Sequence, residues 1–316
     1  MKVTDIAFES AENVVQEIRN MNVKGGSPFG RAAASAFLLC CQQEQFRSVD
    51  SLRERLNDLA SQMMELKPTM GTIANAAWLM NRDLERFKGD SVEEAKASVC
   101  ALCENIIAHS WTAVEKLGKF GANLISNGAV VMMHRYSSTL MEVFAQAAAN
   151  GTQFSVICTE SRPLRESRVA VKMLRDIEVP VTYITDAEIW EFLPTVDLVI
   201  MGADTVAWDG SVANKIGTAM ISQLALACKI PVYIATEIFK LDRRTSEGMP
   251  VLLERRSQEE VVLADDFDGK AGVEVINQFF DLTPACQIRG LITEFGVIAP
   301  ATVSMCWEKF ETELLQ

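Results

Sequence analysis

A carboxylate, an amide and an ammonium stand close together in residues 196–218, VDLVIMGADTVAWDGSVANKIGT, as Asp204, Asn214 and Lys215. These side chains suit a polar, anionic small molecule: the ammonium neutralises charge, and the amide and carboxylate bond to hydroxyls or exchange protons. A turn cap at Asp204 and a solvated Lys215 would leave the same pattern, so position has to decide. Other polar groups also follow apolar runs. His134-Arg135-Tyr136-Ser137-Ser138 comes after 130–133, and Thr159-Glu160-Ser161-Arg162-Pro163 after 154–158. Asp186 comes after 181–185, and Glu237 and Lys240 after 231–235. Ser137, Ser138 and the amides of the helix they open would donate to a phosphate. Lys215 and Lys240 would add charge. A further cluster, Lys24-Gly25-Gly26-Ser27-Pro28, has the pattern of an N-cap followed by proline at the first helical position. It reads either as an anion site or as an interhelical turn that uses glycine for its geometry.

Several chemistries lack their pattern. There is no GxGxxG, no GxxxxGK[ST] and no GxSxG, which removes dinucleotide, P-loop and nucleophile-elbow readings and leaves no cofactor expected. Of eight cysteines, Cys100 and Cys103 form one CxxC with no second pair at zinc spacing. With only His109 and His134 in the chain, no metal site is expected. Cys158 ends an apolar run and reads as a packed core thiol.

The elements needed to position these groups are legible. The 316 residues are 49% hydrophobic and 23% charged, ample for a core. Net charge is -12, which argues against direct nucleic-acid binding through phosphate neutralisation. The amphipathic, acidic start MKVTDIAFESAENVV has no signal-peptide core, and no apolar run is long enough to span a bilayer. A cytoplasmic protein without membrane contact is expected.

Residues 1–118 read as an all-helical domain: helices over 6–21, 29–41, 49–66 and 72–87, then a long one from the capping-box pattern Ser91-Val92-Glu93-Glu94 through Gly118. From Gly121 the pattern changes to alternating strands and helices. Strands are expected at 129–133, 154–158, 181–185, 198–201, 231–235 and 261–263, with helices between. Such alternation implies βαβ units and a parallel sheet, so 119–316 reads as a Rossmann-like α/β domain carrying most of a ligand pocket. In such sheets the ligand sits beyond the carboxyl ends of the strands, where Asp204 and its companions fall.

These segments also carry a family resemblance. KGGSPFGRAAA, KPTMGTIANA, HRYSS, TESRP, GADTVAWDGSVANKIGT, ATEIFK and DLTPACQIRGLITEFGVIAP span nearly the whole chain. Their order resembles that in the superfamily of the translation initiation factor 2B alpha, beta and delta subunits, archaeal ribose-1,5-bisphosphate isomerase and methylthioribose-1-phosphate isomerase. The resemblance implies a helical domain followed by a Rossmann-like domain, assembled as homodimers or higher homo-oligomers. It implies phosphate contacts at Lys24, Gly25, Gly26, Ser27, Lys67, Ser137, Ser138 and Lys240, sugar contacts at Asn214 and Lys215, and a proton-shuttling acid at Asp204. The isomerases carry a cysteine, the proposed base, where this chain has Arg135. A guanidinium stays protonated and cannot take that role.

Two functions follow as expectations. The first is an initiation factor 2B alpha-like protein that binds a sugar phosphate or nucleoside monophosphate without efficient isomerase chemistry, with initiation factor subunits as further partners. The alternative is an aldose–ketose isomerase of the ribose-1,5-bisphosphate type, with Asp204 as proton donor.

Overall fold

The computed structural model describes residues 5–268 and 272–314; the first four residues of the acidic N-terminal stretch and the last two of the expected α/β region lie outside them. Five helices come first: α1 (Ala11–Arg19), α2 (Gly26–Gln43), α3 (Val49–Leu66), α4 (Gly71–Arg86) and α5 (Val92–Ala122). Alternation follows with β1 (Ala129–Met133), α6 (Ser138–Ala149), β2 (Phe154–Thr159), α7 (Ser167–Asp176), β3 (Val181–Ile184), the single-turn α8 (Ile189–Phe192) and β4 (Leu198–Gly202). Next come β5 (Thr205–Val206), β6 (Val212–Lys215), α9 (Thr218–Ala227) and β7 (Val232–Ala235). The chain closes with β8 (Phe280–Thr283), β9 (Gly290–Thr293), β10 (Gly296–Ile298) and α10 (Val303–Leu314).

The main sheet has seven strands in the order β10-β9-β7-β4-β1-β2-β3, parallel except for β10. Alternate residues feed opposite faces, as the strand period requires. On β1, Met132 joins the helices α1–α5 in one apolar cluster, while Val131 and Met133 join α6 and α7 in a second. The mixed α/β fold and mainly parallel sheet agree with the strand–helix alternation. A second, three-stranded antiparallel sheet, β5-β6-β8, was not expected.

Local chemistry moves several boundaries. The first helix starts at Ala11 rather than Ile6, because the Ser10 hydroxyl accepts from Asn13 N and caps it there. Helix α2 is capped by Gly25, at φ 92°, rather than by Ser27, which lies inside the first turn. Glycine reaches that φ at little cost, and Pro28 still falls where a helix has no N–H partner to lose. Helix α5 passes Gly118 and ends at Ala122. A Cβ at Gly118 would lie 2.6 Å from Glu142 Cγ, and one at Gly121 2.6 Å from Val143 Cγ2. Both glycines let α6 approach and do not stop the helix. Residues 261–263 form no strand: three apolar residues between Glu259-Glu260 and Asp265-Asp266 have no sheet face to cover, and Leu263 is exposed.

Candidate functional site

The strand order turns between β1 and β4: the chain steps outward from β1 to β2 and β3, then returns to the other side of β1 at β4. Such a switch point opens a crevice at the carboxyl ends of the strands. His134 and Arg135 leave β1 there, and Ala203 and Asp204 leave β4.

Arg135 holds the centre. It is 8% exposed, with φ 64°, and its amide donates to Ser167 Oγ at 3.1 Å. The guanidinium pairs with Asp204 Oδ2 and, at 2.9 Å, with Glu166 Oε2. Burial alone would favour its neutral form, but the charges of Asp204 and Glu166 reverse that and raise its pKa. Burial would likewise raise Glu166; Arg135, helped by Lys215, brings it below the ordinary carboxylate value.

His134 is packed behind the crevice. Nε2 lies 2.8 Å from the Ile216 carbonyl and Nδ1 2.6 Å from Thr159 Oγ1. A carbonyl only accepts, so these partners assign the proton to Nε2 and leave Nδ1 to accept from the threonine. Burial lowers its pKa, consistent with a neutral ring.

The structure brings many of the expected residues together. Lys240 Nζ donates to the Ala203 carbonyl at 2.9 Å and reaches Thr139 Oγ1 at 3.4 Å. Thr139 Oγ1 is also 3.4 Å from Ser27 Oγ. A Cβ at Gly26 would strike the Asp204 carbonyl at 2.7 Å and Lys240 Cε at 3.1 Å, so the start of α2 lies directly on these two residues. Ser137 caps α6 by accepting from Leu140 N, and its Oγ would be 2.5 Å from a Cβ at Gly202; Ser138 opens that helix, half-buried. Asn214 and Lys215 arrive on β6, opposite Asp281 and Phe280 of β8. Asn214 Nδ2 donates to Thr218 Oγ1 at 2.9 Å.

Lys67 and Lys24 lie further out. Lys67 is buried, with Nζ 3.5 Å from Glu254 Oε1. Burial lowers its pKa, with Glu254 opposing and Arg256 adding to the fall. Lys24 is exposed and lines a cavity of about 250 Å³ with Asp5, Pro28, Tyr136 and Val169, and no contact joins it to the Arg135 cluster among the described residues. Asp186, one of the strand-end carboxylates, accepts from the amides of Ser161 and Arg162 at 2.8 Å and so fixes the loop after β2. Cys158 is fully buried, and burial pushes its thiol up to about 12.

Sequence reading missed Glu166, Glu254, Arg256, Glu260 and Phe279. None follows an expected strand, and the long irregular stretch before β8 carries four of them. The Phe279 ring centroid lies 3.3 Å from Lys215 Nζ, 4.1 Å from Arg256 Cζ and 5.7 Å from Arg135 Cζ. Three basic side chains gather round one ring, and the two guanidinium groups among them make a field suited to an anion. Arg256 pairs with Glu260, as Lys67 does with Glu254. No group of three or more His, Cys, Asp or Glu side chains is placed to hold a metal ion among the described residues.

A Rossmann-like α/β protein with a buried, cation-rich crevice at its switch point is the class that this fold and site define. The initiation factor 2 subunit family model matches residues 22–300, and the chain belongs to that family. It is 34% identical over 293 residues to a ribose 1,5-bisphosphate isomerase of Archaeoglobus fulgidus, covering 93% of this chain and 91% of that one. It is 32% identical over 304 residues to a methylthioribose-1-phosphate isomerase of Pelotomaculum thermopropionicum, covering 91% and 82%. The solved translation initiation factor eIF-2B of Pyrococcus horikoshii OT3 superposes with a TM-score of 0.79 at 26% identity, covering 92% of this chain and 97% of that chain.

Proposed function

We propose that the crevice binds a pentose phosphorylated at both ends and isomerises it from aldose to ketose, as the names of the ribose 1,5-bisphosphate isomerase relatives suggest. This ranks the isomerase above the non-catalytic sensor that Arg135 first favoured. The observation that carries it is Asp204, 2% exposed at the switch point and surrounded by Arg135 and the Lys240-bearing turn. In this role Asp204 delivers a proton to the ring oxygen as the sugar opens and recovers one from the C2 hydroxyl as the ketone forms. Lys240, Lys67, Ser27 and the amides at the starts of α2 and α6 hold the phosphates, and Lys24 guides them from outside. Asn214 and Lys215 face the sugar.

One observation favours the second reading, ligand sensing without turnover: the residue after His134 is Arg135, which occupies Asp204 and Glu166 together. In that case the ligand is a sugar phosphate or nucleoside monophosphate, and initiation factor subunits are the partners that read it.

The two part in one experiment. Ribose 1,5-bisphosphate and a series of nucleoside monophosphates are tested by thermal shift, which reports binding by mass action. Conversion is then followed by phosphorus and proton NMR. Stabilisation with a growing ketose signal supports the isomerase, and stabilisation without one supports the sensor. In an active protein, Asp204→Asn is expected to bind with little change and to lose about 10²–10⁴ in kcat.

A further inference from the structure

With Arg135 unable to accept a proton, aldose–ketose chemistry here needs another base. We propose that Lys215 is that base: its neutral amine carries the proton between the two sugar carbons. The assignment rests on the isomerase reading above.

Geometry singles Lys215 out. The other buried cations of the cluster are all engaged. Arg135 is held by Asp204 and Glu166, Arg256 by Glu260, Lys67 by Glu254, and Lys240 by the Ala203 carbonyl. Lys215 is fully buried, yet among the described residues its Nζ has no hydrogen-bond partner and rests 3.3 Å from the Phe279 ring centroid. A buried ammonium with three N–H donors and no acceptor is costly, and the neutral amine relieves most of that cost. The same ring lies 5.7 Å from Arg135 Cζ, so Lys215 and the Arg135–Asp204 pair flank one aromatic side chain.

The groups facing Lys215 pull in opposite directions, and burial decides the outcome. Burial lowers the amine from its ordinary value to about 7; Arg135 and Arg256 add to the fall, and Glu166 and Glu260 resist it. His134, which also feels Lys215, is pushed toward its neutral form, and Asp281 across the strand pair is raised to about 6 by burial. An amine near 7 is matched to proton transfer at neutral pH.

The step balances. Ring opening breaks the bond between C1 and the ring oxygen, and Asp204, entering the cycle as the protonated acid, supplies the proton that oxygen gains. The Lys215 lone pair takes the C2 proton, and the C2–H electrons form the C1=C2 double bond. Asp204 then takes the C2 hydroxyl proton as C2=O forms, and C1 receives the proton from the Lys215 ammonium. Both residues end as they began, and no oxidant or reductant is needed.

Lys215→Arg separates this role from charge alone, because arginine keeps the cation and cannot release it. Full-length wild type and Lys215→Arg are compared for ribose 1,5-bisphosphate binding by calorimetry and for turnover by NMR. A second variant, Lys215→Met, guards against a packing effect, with circular dichroism checking that both fold. The expected result is near-unchanged binding by Lys215→Arg and a fall in kcat of about 10²-fold or more in both variants. Wild-type kcat should rise with pH to a plateau above about 7, and the residual turnover of Lys215→Arg should lack that limb. Turnover that survives Lys215→Arg, or keeps its limb, overturns the base assignment alone. Loss of binding in Lys215→Arg reduces Lys215 to a ligand contact. Binding without turnover in the wild type overturns the isomerase reading, and the base with it.

Discussion

At the residue scale the chemistry turns on who holds Asp204. Its buried partner Arg135 keeps a charge that no working pH removes. Arg135→Cys would release both Asp204 and Glu166 and place a thiol at the position where the resemblance implies one for the isomerases. Turnover of ribose 1,5-bisphosphate is expected to rise, read by the same NMR assay; no gain in a folded, ligand-binding variant would count against an isomerase-derived pocket. Lys215 makes a separate prediction about stability. Its folded-state pKa is lowered to about 7, so between there and the ordinary lysine range the unfolded chain binds the extra proton. Stability therefore gains from this residue as pH rises above 7, and the gain is absent below it. Denaturant titrations at pH 6.5 and 9 should show wild type improving relative to Lys215→Met as pH rises. An equal difference at both values would show that Lys215 is not so shifted.

At the scale of elements, the site depends on backbones that approach closely. Gly217, at φ 105°, leads into α9, and a Cβ there would lie 3.0 Å from His134 Nε2. Gly217→Ala combines left-handed strain with that contact, and a loss of about 1–3 kcal/mol in unfolding free energy is expected by denaturant titration. The central strands β1, β2, β4 and β7 were readable because each is mostly apolar and covered on both faces. The small sheet was not: β5 has two residues, and β6 contains Asn214 and Lys215, which no apolar pattern marks as strand. Strand-end logic found Arg135, Asp204 and Lys240, since a parallel sheet must gather those ends. It could not find Glu166, on the turn before α7, or Arg256 and Phe279, whose place at the crevice is set by a fold-back that no local spacing encodes. Lys24 came from the turn pattern before α2 and from the resemblance, and the structure leaves its side chain exposed at the cavity it lines with Tyr136.

The whole molecule is held by apolar packing that passes from helices α1–α5 into one face of the sheet, while α6 and α7 close the other. No helix among the described residues is long and apolar enough to cross a membrane. Met220 and Leu226 on α9 and Leu282 on β8 remain exposed. Such side chains are open to a second copy of the chain, and light scattering coupled to size exclusion is expected to give a homodimer or larger; a monomer at all concentrations would reject it. The internal ion pairs of the crevice also set how it responds to its surroundings. Arg135, Arg256 and Lys67 carry counter-ions tethered by the chain itself, so an arriving phosphate exchanges with Asp204, Glu166, Glu260 and Glu254 rather than with dissolved salt. Chloride and other singly charged anions compete poorly for such an exchanger, whereas a ligand with a dianionic phosphate at each end engages several cations at once. On the proposed function, selectivity for doubly phosphorylated molecules is expected to arise from the acids stored inside the site and to weaken little between low and physiological ionic strength, because the competing charges never leave the protein.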